Sequence, residues 1–348
     1  RDRLRSRGLG DVYKRQSLCY NINDILQKKQ RRYTMENIFK RWGFGHRSAE
    51  HEANNDAEDR EYEVDSDSEL KITDGTDKYM HDGMYMKISF ATDTGLIRKH
   101  NEDSFFIDGK YRHSYGRNEC DSYIELSDCT HIYGVFDGMG GEAFGETASA
   151  IAAFTLDRMY EKLSQIDASE LPYYMNEYTR AANNAICEMY SDRHSGRSGS
   201  TMTAICIKDG TAYPFYLGDS RIYLYEKGSL LQITEDQTLA VRKIKAGVYT
   251  KEESENSPDH HKLTCFLGAD EGGLGLDCQP CMPIPLFSGT KLLMCSDGLT
   301  DMCSRSKIEK ILTMNVDNPA KTLVDAANSD GGKDNVTCVV IEVSEFNG

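Results

Sequence analysis

The spacing of apolar residues changes several times along the chain, and each spacing predicts one kind of element. Residues 85–91 carry an apolar side chain at every second position, which predicts a strand with one buried face. Residues 145–163 place apolar side chains three and four positions apart, which predicts an amphipathic helix, and residues 173–190 repeat that spacing. The pattern therefore indicates a mixed fold with at least two long helices.

Short apolar runs separated by turns fill most of the remaining chain. The predicted strands are 131–136, 201–207, 211–217, 221–225, 230–234, 291–295 and 336–343, and one further helix is predicted at 306–314. Turns such as Asp209-Gly210 and Lys227-Gly228 separate neighbouring runs. This order favours antiparallel meanders, with two layers each of sheet and helix, over a regular alternation of strand and helix.

The regular pattern begins only near residue 84. Residues 1–47 are rich in Arg and Lys, whereas residues 50–70 contain ten Asp or Glu against one Arg. Charge runs without an apolar period are typical of disorder. We therefore predict a disordered N-terminal extension at 1–83 and a folded domain at 84–348. Met35 is a candidate start residue, and residues 1–34 are then a candidate non-native segment.

Composition narrows the classes of function. Lys and Arg total 41 against 56 Asp and Glu, a net charge of −15, which disfavours binding to nucleic acid because both partners are negative. Eleven cysteines, several inside apolar runs, are typical of reduced thiols in a cytoplasmic protein rather than of a disulfide framework. No apolar run is long enough to predict a transmembrane helix.

Acidic residues recur where predicted strands begin or end. Four such clusters are Asn101-Glu102-Asp103, Asp137-Gly138, Asp297-Gly298 and Asp334-Asn335. A single Asp-Gly pair is ordinary turn chemistry, but uncompensated carboxylates beside buried strands are costly. Four clusters in one chain favour divalent cations shared between them. Ligands that are all oxygen favour Mg²⁺ or Mn²⁺ over zinc.

Six segments, in this order, resemble the motif series of the PPM family, also called the protein phosphatase 2C family. The segments are Arg98–Asp103, Val135–Gly141, Gly199–Thr201, Gly218–Arg221, Ser296–Asp301 and Lys333–Thr337. The match spans about residues 84–345, which is essentially the whole predicted domain. Met139, together with the Asn-Glu-Asp segment, is similar to the bacterial branch of the family.

The resemblance implies an α+β fold, a four-layer αββα sandwich of two antiparallel sheets flanked by antiparallel helices. It implies removal of phosphate from serine and threonine side chains of proteins, by in-line attack of a water activated by two Mn²⁺ or Mg²⁺ ions. Such an enzyme reverses the signalling of Ser/Thr kinases. We therefore expect phosphorylated proteins as partners, including a partner Ser/Thr kinase, and a cytoplasmic monomer that does not bind nucleic acid.

The motif match also implies individual roles in a metal centre. The implied residues are Asp137, which bridges two ions, Gly138 through its carbonyl, Asp297 and Asp334 at the second ion, Glu102 and Asp103 through metal-bound waters, and Asp219, Asp297 and Asp301 at a weaker third site. Asp137 is therefore expected to be catalytic as well as metal-binding.

Arg98 matches the arginine that holds the substrate phosphate, and we expect it to be both catalytic and substrate-binding. Its planar guanidinium can hold two phosphate oxygens at once. Many eukaryotic relatives have a proton-donating histidine at the position of Met139, and methionine cannot donate a proton. A metal-bound water and His100 are the two alternatives for the acid.

Two other functions are compatible with the motifs. A hydrolase of small phosphorylated metabolites would use the same phosphate and metal contacts and would differ in the flap, which we define as residues 241–267. A catalytically weak module that binds phosphoproteins is disfavoured, because such relatives usually lose one of the three aspartates that are present here as Asp137, Asp297 and Asp334.

Overall fold

The computed structural model describes residues 84–112, 118–126, 129–140, 144–190, 198–255, 257–269 and 276–345. All of these belong to one unit of the chain, residues 81–348. The predicted disordered extension at 1–83, with its candidate non-native segment 1–34, lies outside the described residues. Its conformation therefore stays a prediction, as does the boundary at residue 84.

The described strands form two large antiparallel sheets. They are β1 (Met84–Asp93), β2 (Ser104–Ile107), β3 (Lys110–Tyr111), β4 (Glu119–Leu126), β5 (His131–Phe136), β6 (Gly138–Met139), β7 (Gly199–Ser200), β8 (Met202–Lys208), β9 (Thr211–Leu217), β10 (Arg221–Glu226), β11 (Ser229–Gln232), β12 (Gln279–Pro280), β13 (Ile284–Pro285), β14 (Lys291–Cys295) and β15 (Val336–Glu345). The first sheet has the order β11-β10-β14-β15-β1-β4. The second has the order β12-β9-β8-β5-β2-β3, with β13 also paired to β9, and β6 pairs with β7 separately.

Helices cover the outer faces of both sheets. They are α1 (Phe144–Gln165), α2 (Leu171–Tyr190), α3 (Leu239–Lys245), α4 (Lys251–Glu255), α5 (Asp297–Thr300), α6 (Arg305–Thr313) and α7 (Pro319–Ser329), with a short 3₁₀ turn at Ala168–Glu170. α1 packs on β2 and β5 and against α2, whereas α7 packs on β1 and β15 and against α6. The predicted α+β fold, a four-layer αββα sandwich, is thereby confirmed.

The main core lies between the two sheets. From β1, Met86, Ile88 and Phe90 all point into it, and the ring of Phe90 lies 4.6 Å from that of Phe105 on β2. The other face of β1 is buried as well, because Ala91 belongs to the second core beneath α6 and α7. The alternating pattern predicts that only one face of β1 is buried. In the structure both faces are buried, because a helical layer covers the second one.

The predicted elements agree with the structure to within about two residues, except where packing overrides the local pattern. The helix predicted at 306–314 begins one residue earlier, because Ser304 caps it by accepting a hydrogen bond from the Lys307 backbone N–H at 3.3 Å. The apolar spacing did not predict β2, α3, α4, α7 or the edge strand β4, whose Ile124 is 63% exposed. No helix in the described ranges is long and apolar enough to cross a bilayer.

A candidate metal centre at the ends of the sheets

A cavity of about 720 Å³ opens where strands of both sheets end. Eight of the nine residues predicted for the site line it, namely Arg98, Glu102, Asp137, Gly138, Asp219, Asp297, Asp301 and Asp334. The ninth, Asp103, is 1% exposed and hydrogen-bonds to Ser296, directly before Asp297 in the chain. The structure therefore brings together residues that are up to 236 positions apart in sequence.

Strand register explains why these residues meet. In the second sheet Phe136 pairs with Ser104, so Asp137 follows the end of β5 at the edge where Asp103 precedes β2. In the first sheet Cys295 pairs with both Cys338 and Arg221. Antiparallel pairing thus places the residues that flank β10, β14 and β15 at one edge of that sheet.

The backbone of Asp137 is clamped, so that its carboxylate is directed into the cavity. Its N–H donates to Thr201 Oγ1 at 2.9 Å, and the Thr201 N–H donates to its carbonyl at 2.8 Å. Thr201 Oγ1 also bonds to Ser220 Oγ at 2.7 Å. Burial raises the pKa of Asp137 well above its ordinary value, and the neighbouring carboxylates of Asp103 and Asp297 raise it further.

Only glycine fits at position 138. A Cβ atom there would lie 2.2 Å from the carbonyl oxygen of Gly145 and 2.4 Å from that of Glu102, and both are backbone atoms that cannot turn away. The glycine lets the start of α1 and the loop before β2 approach the end of β5. Packing therefore requires a glycine after Asp137, whether or not a metal is bound.

A buried asparagine aligns the loop that carries Glu102. Asn335 Oδ1 accepts from the Glu102 N–H at 2.8 Å, while its amide group donates to the carbonyls of Thr94 and His100, each at 2.9 Å. Burial raises the pKa of Glu102 to about 7. Asn335 thereby joins the loop before β2 to the loop before β15, a role that its place in the motif does not reveal.

Asp103 forms the floor beneath the cavity. Its Oδ2 accepts a hydrogen bond from Ser296 Oγ at 2.7 Å, whereas its buried Oδ1 has no hydrogen-bond partner among the described residues. Burial raises the pKa of Asp103 to about 7, and the charges of Asp334 and Asp297 add to this effect. A buried carboxylate oxygen without a donor needs a water or a cation nearby.

Arg98 lies at the rim, where one side of its guanidinium is paired with Asp334. The Nη2 atom is 2.6 Å from Asp334 Oδ2, and the arginine side chain is half exposed. Burial and the charge of Asp297 raise the pKa of Asp334, although the Asn335 backbone N–H and Arg98 both act to lower it. Arg98 is thus held beside a predicted metal ligand while part of it faces solvent.

His261 is a site residue that the sequence analysis missed. It comes from the flap, and its Nδ1 lies 3.6 Å from Asp297 Oδ2 and 3.8 Å from Asp301 Oδ2. Burial raises the pKa of Asp301 to about 6, with a further contribution from Asp297. A histidine in a polar, irregular segment carries no local signal of this role, because only the fold brings the flap to these carboxylates.

The residues present fit a centre for divalent cations. Six carboxylates line the cavity, against three Lys or Arg side chains. Burial, and then repulsion from neighbouring carboxylates, raises the pKa of five of these groups, namely Glu102, Asp137, Asp219, Asp301 and Asp334. Bound cations would compensate this negative charge. Carboxylate and carbonyl oxygens around a polar cavity are the ligands that Mg²⁺ and Mn²⁺ prefer, and Asp103 adds a buried oxygen in need of a partner.

Comparisons with known proteins agree with this geometry. The family model "Protein phosphatase 2C" matches residues 97–243. The serine/threonine phosphatase Stp of Listeria monocytogenes is 31% identical over 262 residues, covering 74% of this chain and 96% of that protein. Protein phosphatase PhpP of Streptococcus pneumoniae is 32% identical over 264 residues, covering 75% of this chain and 98% of that protein.

A solved structure agrees with the fold. The catalytic domain of the serine/threonine phosphatase PstP, in complex with two manganese ions, superimposes with a TM-score of 0.58 at 28% identity and covers 75% of this chain and all of that one. The chain belongs to the protein phosphatase 2C family of metal-dependent serine/threonine protein phosphatases.

Proposed function

We propose that the phosphatase reaction takes place in this cavity and requires two Mn²⁺ or Mg²⁺ ions, which Asp137 would help to hold. The Gly138 carbonyl would be a ligand of one ion, and Asp297 and Asp334 would be ligands of the other. The observation that carries this proposal is the group of carboxylates that share one cavity with Asp137. Burial raises the pKa of Asp137, and the charges of neighbouring carboxylates raise it further. The two manganese ions in the PstP structure support the same number of ions here.

Glu102 and Asp103 would complete the centre by accepting hydrogen bonds from waters of the bound ions. Glu102 lines the cavity, whereas Asp103 is buried outside the lining and acts on Asp137 through its charge. Their position follows from the Asn335 and Ser296 hydrogen bonds, which fix the loop before β2. When bound, divalent ions activate a water near neutral pH and offset the charge on the phosphoryl oxygens.

Arg98 is proposed to hold the phosphate of the substrate. The guanidinium has five N–H donors in one plane, and the ion pair with Asp334 uses only its Nη2 side. The remaining donors can hold phosphate oxygens while Asp334 keeps the plane oriented. Arg98 therefore serves substrate binding and charge stabilisation in the transition state.

The cellular setting is proposed from weaker observations. The ten cysteines in the described residues are free thiols, which supports a reducing compartment such as the cytoplasm. We propose that the domain at 84–348 acts as a monomer on phosphorylated proteins, among them a partner Ser/Thr kinase, and so reverses kinase signalling. The net charge of −15 supports a role that does not involve nucleic acid.

Hydrolysis of a phosphothreonine peptide, with and without Mn²⁺, tests the proposal. The Asp137→Ala variant is compared with Asp209→Ala, a matched control on the exposed β8–β9 turn. We expect Mn²⁺-dependent turnover by the unaltered chain and the control, and a loss of at least about a thousandfold in Asp137→Ala, since the bridging ligand is removed.

A small phosphorylated metabolite is assayed alongside the peptide. Turnover of the metabolite alone by the metal-loaded chain would favour the metabolite hydrolase. Binding of the phosphopeptide without turnover would favour the binding module. Full activity of Asp137→Ala would show that the reaction does not depend on this centre.

A further inference from the structure

The flap carries an imidazole to the edge of the acidic cavity. His261 Nδ1 and one carboxylate oxygen each of Asp297 and Asp301 all lie within 4.8 Å of one another, close enough to share one metal ion. These atoms come from two separate parts of the chain, namely the flap and the segment formed by α5 and Asp301, the residue that follows it. Their convergence is therefore a property of the tertiary structure.

Several hydrogen bonds and ion pairs hold the turn that carries His261. Asp259 is 5% exposed, and its carboxylate accepts from Lys262 Nζ at 2.8 Å, from Tyr249 Oη at 3.1 Å and from Lys243 Nζ. The Leu239 N–H also donates to the Lys262 carbonyl at 2.8 Å. These bonds anchor the turn to α3 on one side of His261.

The other side of the turn is anchored to the strand ends of the site. Leu263 pairs with Thr238 in an isolated bridge, and the Thr264 N–H donates to the Gln237 carbonyl at 2.8 Å. Gln237 in turn accepts from the Gly218 N–H at 2.7 Å, directly before Asp219. His261 is thus held in a fixed relation to the loop of Asp219.

Asp219 adds a further buried carboxylate to this part of the cavity. It is 8% exposed, and among the described residues no side chain donates a hydrogen bond to it. The positive charge of Arg221 acts on Asp219, but the guanidinium of Arg221 is itself paired with Asp236 at 2.6 Å. A buried carboxylate of this kind, lining the same cavity as Asp297 and Asp301, is a further oxygen donor for a cation at this end of the cavity.

We propose that His261 is a ligand, carried by the flap, of the weaker cation site formed by Asp219, Asp297 and Asp301. This inference rests on the proposed metal centre and adds a nitrogen donor to its carboxylates. Mg²⁺ prefers oxygen ligands, whereas Mn²⁺ accepts imidazole more readily. The site therefore selects Mn²⁺ over Mg²⁺, and the bound ion links the flap to α5.

The neighbouring histidine offers a matched control. The rings of His260 and His261 are perpendicular, with centroids 4.9 Å apart, so the two ring planes are oriented differently. Among the two, only His261 is within 4 Å of the carboxylates of Asp297 and Asp301. Its side chain is 60% exposed, so that His261→Ala leaves no buried gap and should fold normally.

The test measures Mn²⁺ binding to the full chain. Calorimetry gives the affinities, and pulsed electron paramagnetic resonance reports the ligands of the bound ion. We expect a third, weaker Mn²⁺ whose spectrum shows coupling to a nitrogen nucleus. His261→Ala should abolish that coupling and weaken the third site at least about tenfold, because even residues that only orient a ligand contribute this much. His260→Ala and the two tighter sites should be unaffected, and so should Mg²⁺ binding.

Two results would overturn the inference. One is a third Mn²⁺ without nitrogen coupling in the unaltered chain, and the other is unchanged third-site affinity in His261→Ala. Either would show that His261 forms only an ion pair with the two aspartates. Failure of the proposed function looks different, because the phosphopeptide would then not be hydrolysed although the nitrogen coupling is present.

Discussion

Replacing Asp103 by asparagine removes a buried negative charge and keeps an oxygen that can accept the hydrogen bond from Ser296. The side chain is 1% exposed, and one of its oxygens has no partner among the described residues. If bound metal ions are what compensates the negative charge of these carboxylates, the metal-free protein carries an unfavourable charge at Asp103. The asparagine variant should therefore be more stable than the unaltered protein without metal.

The size of the effect follows from the titration of Asp103. Burial raises its pKa from 3.8 to about 7, and each pH unit between these values costs about 1.4 kcal/mol. Because the folded pKa is the higher one, stability is fully present below pH 3.8 and falls as the pH rises to 7. The ionised side chain thus costs about 4 kcal/mol at pH 8 and about 2 kcal/mol near pH 5.5.

The amide of the variant offsets part of this gain. The amide N–H groups replace the oxygen that has no partner, and burying these donors without an acceptor lowers the free energy of unfolding by about 1–3 kcal/mol. The expected net stabilisation at pH 8 is therefore about 2 kcal/mol, or a rise in Tm of roughly 4–8 °C for a domain of this size. Near pH 5.5 the gain should largely disappear.

Differential scanning calorimetry with a chelator, at both pH values, measures the effect. Asp209→Asn, on an exposed turn, is the control for the change of charge alone. With Mn²⁺ added, the unaltered protein should gain more stability than the Asp103 variant. A metal-free variant that melts below the unaltered protein at pH 8 would refute the reasoning, since Asp103 would then be compensated without metal.

Three further predictions concern other parts of the site and the core. Arg98→Ala should lower kcat/KM for a phosphopeptide about 10- to 100-fold, since charge-assisted hydrogen bonds to phosphate are lost. Arg98→Lys should show a smaller decrease in kcat/KM. Equal activity of the unaltered protein and both variants would contradict the role of Arg98 in holding phosphate. Gly138→Ala should abolish Mn²⁺-dependent thermal stabilisation, because its Cβ would meet two backbone carbonyls, and an unchanged Mn²⁺ shift would show that the loops can yield. At pH 8, iodoacetamide followed by mass spectrometry should label the exposed Cys120 but not Cys206, because burial raises the pKa of the Cys206 thiol to about 12; rapid labelling of Cys206 in the folded protein would contradict its burial.

Local sequence determined the long elements and the positions of the principal acids. α1 and α2 follow from apolar residues three and four apart, and β1 follows from strict alternation, because both periods express which side of an element is buried. The acidic motifs at strand ends predicted the residues around the cavity, and eight of the nine line it. Their individual metal-binding roles stay predictions.

Tertiary structure decided which side chains complete and support the site. Ser296 reaches Asp103 across 193 positions, and Asn335 reaches Glu102 across 233, so neither bond leaves a trace in local spacing. His261 meets Asp297 only because hydrogen bonds to α3 and to the loop before Asp219 hold the flap in place. Periodicity records whether a residue is buried, but contacts between distant segments depend on how the layers pack, and that is a property of the whole fold.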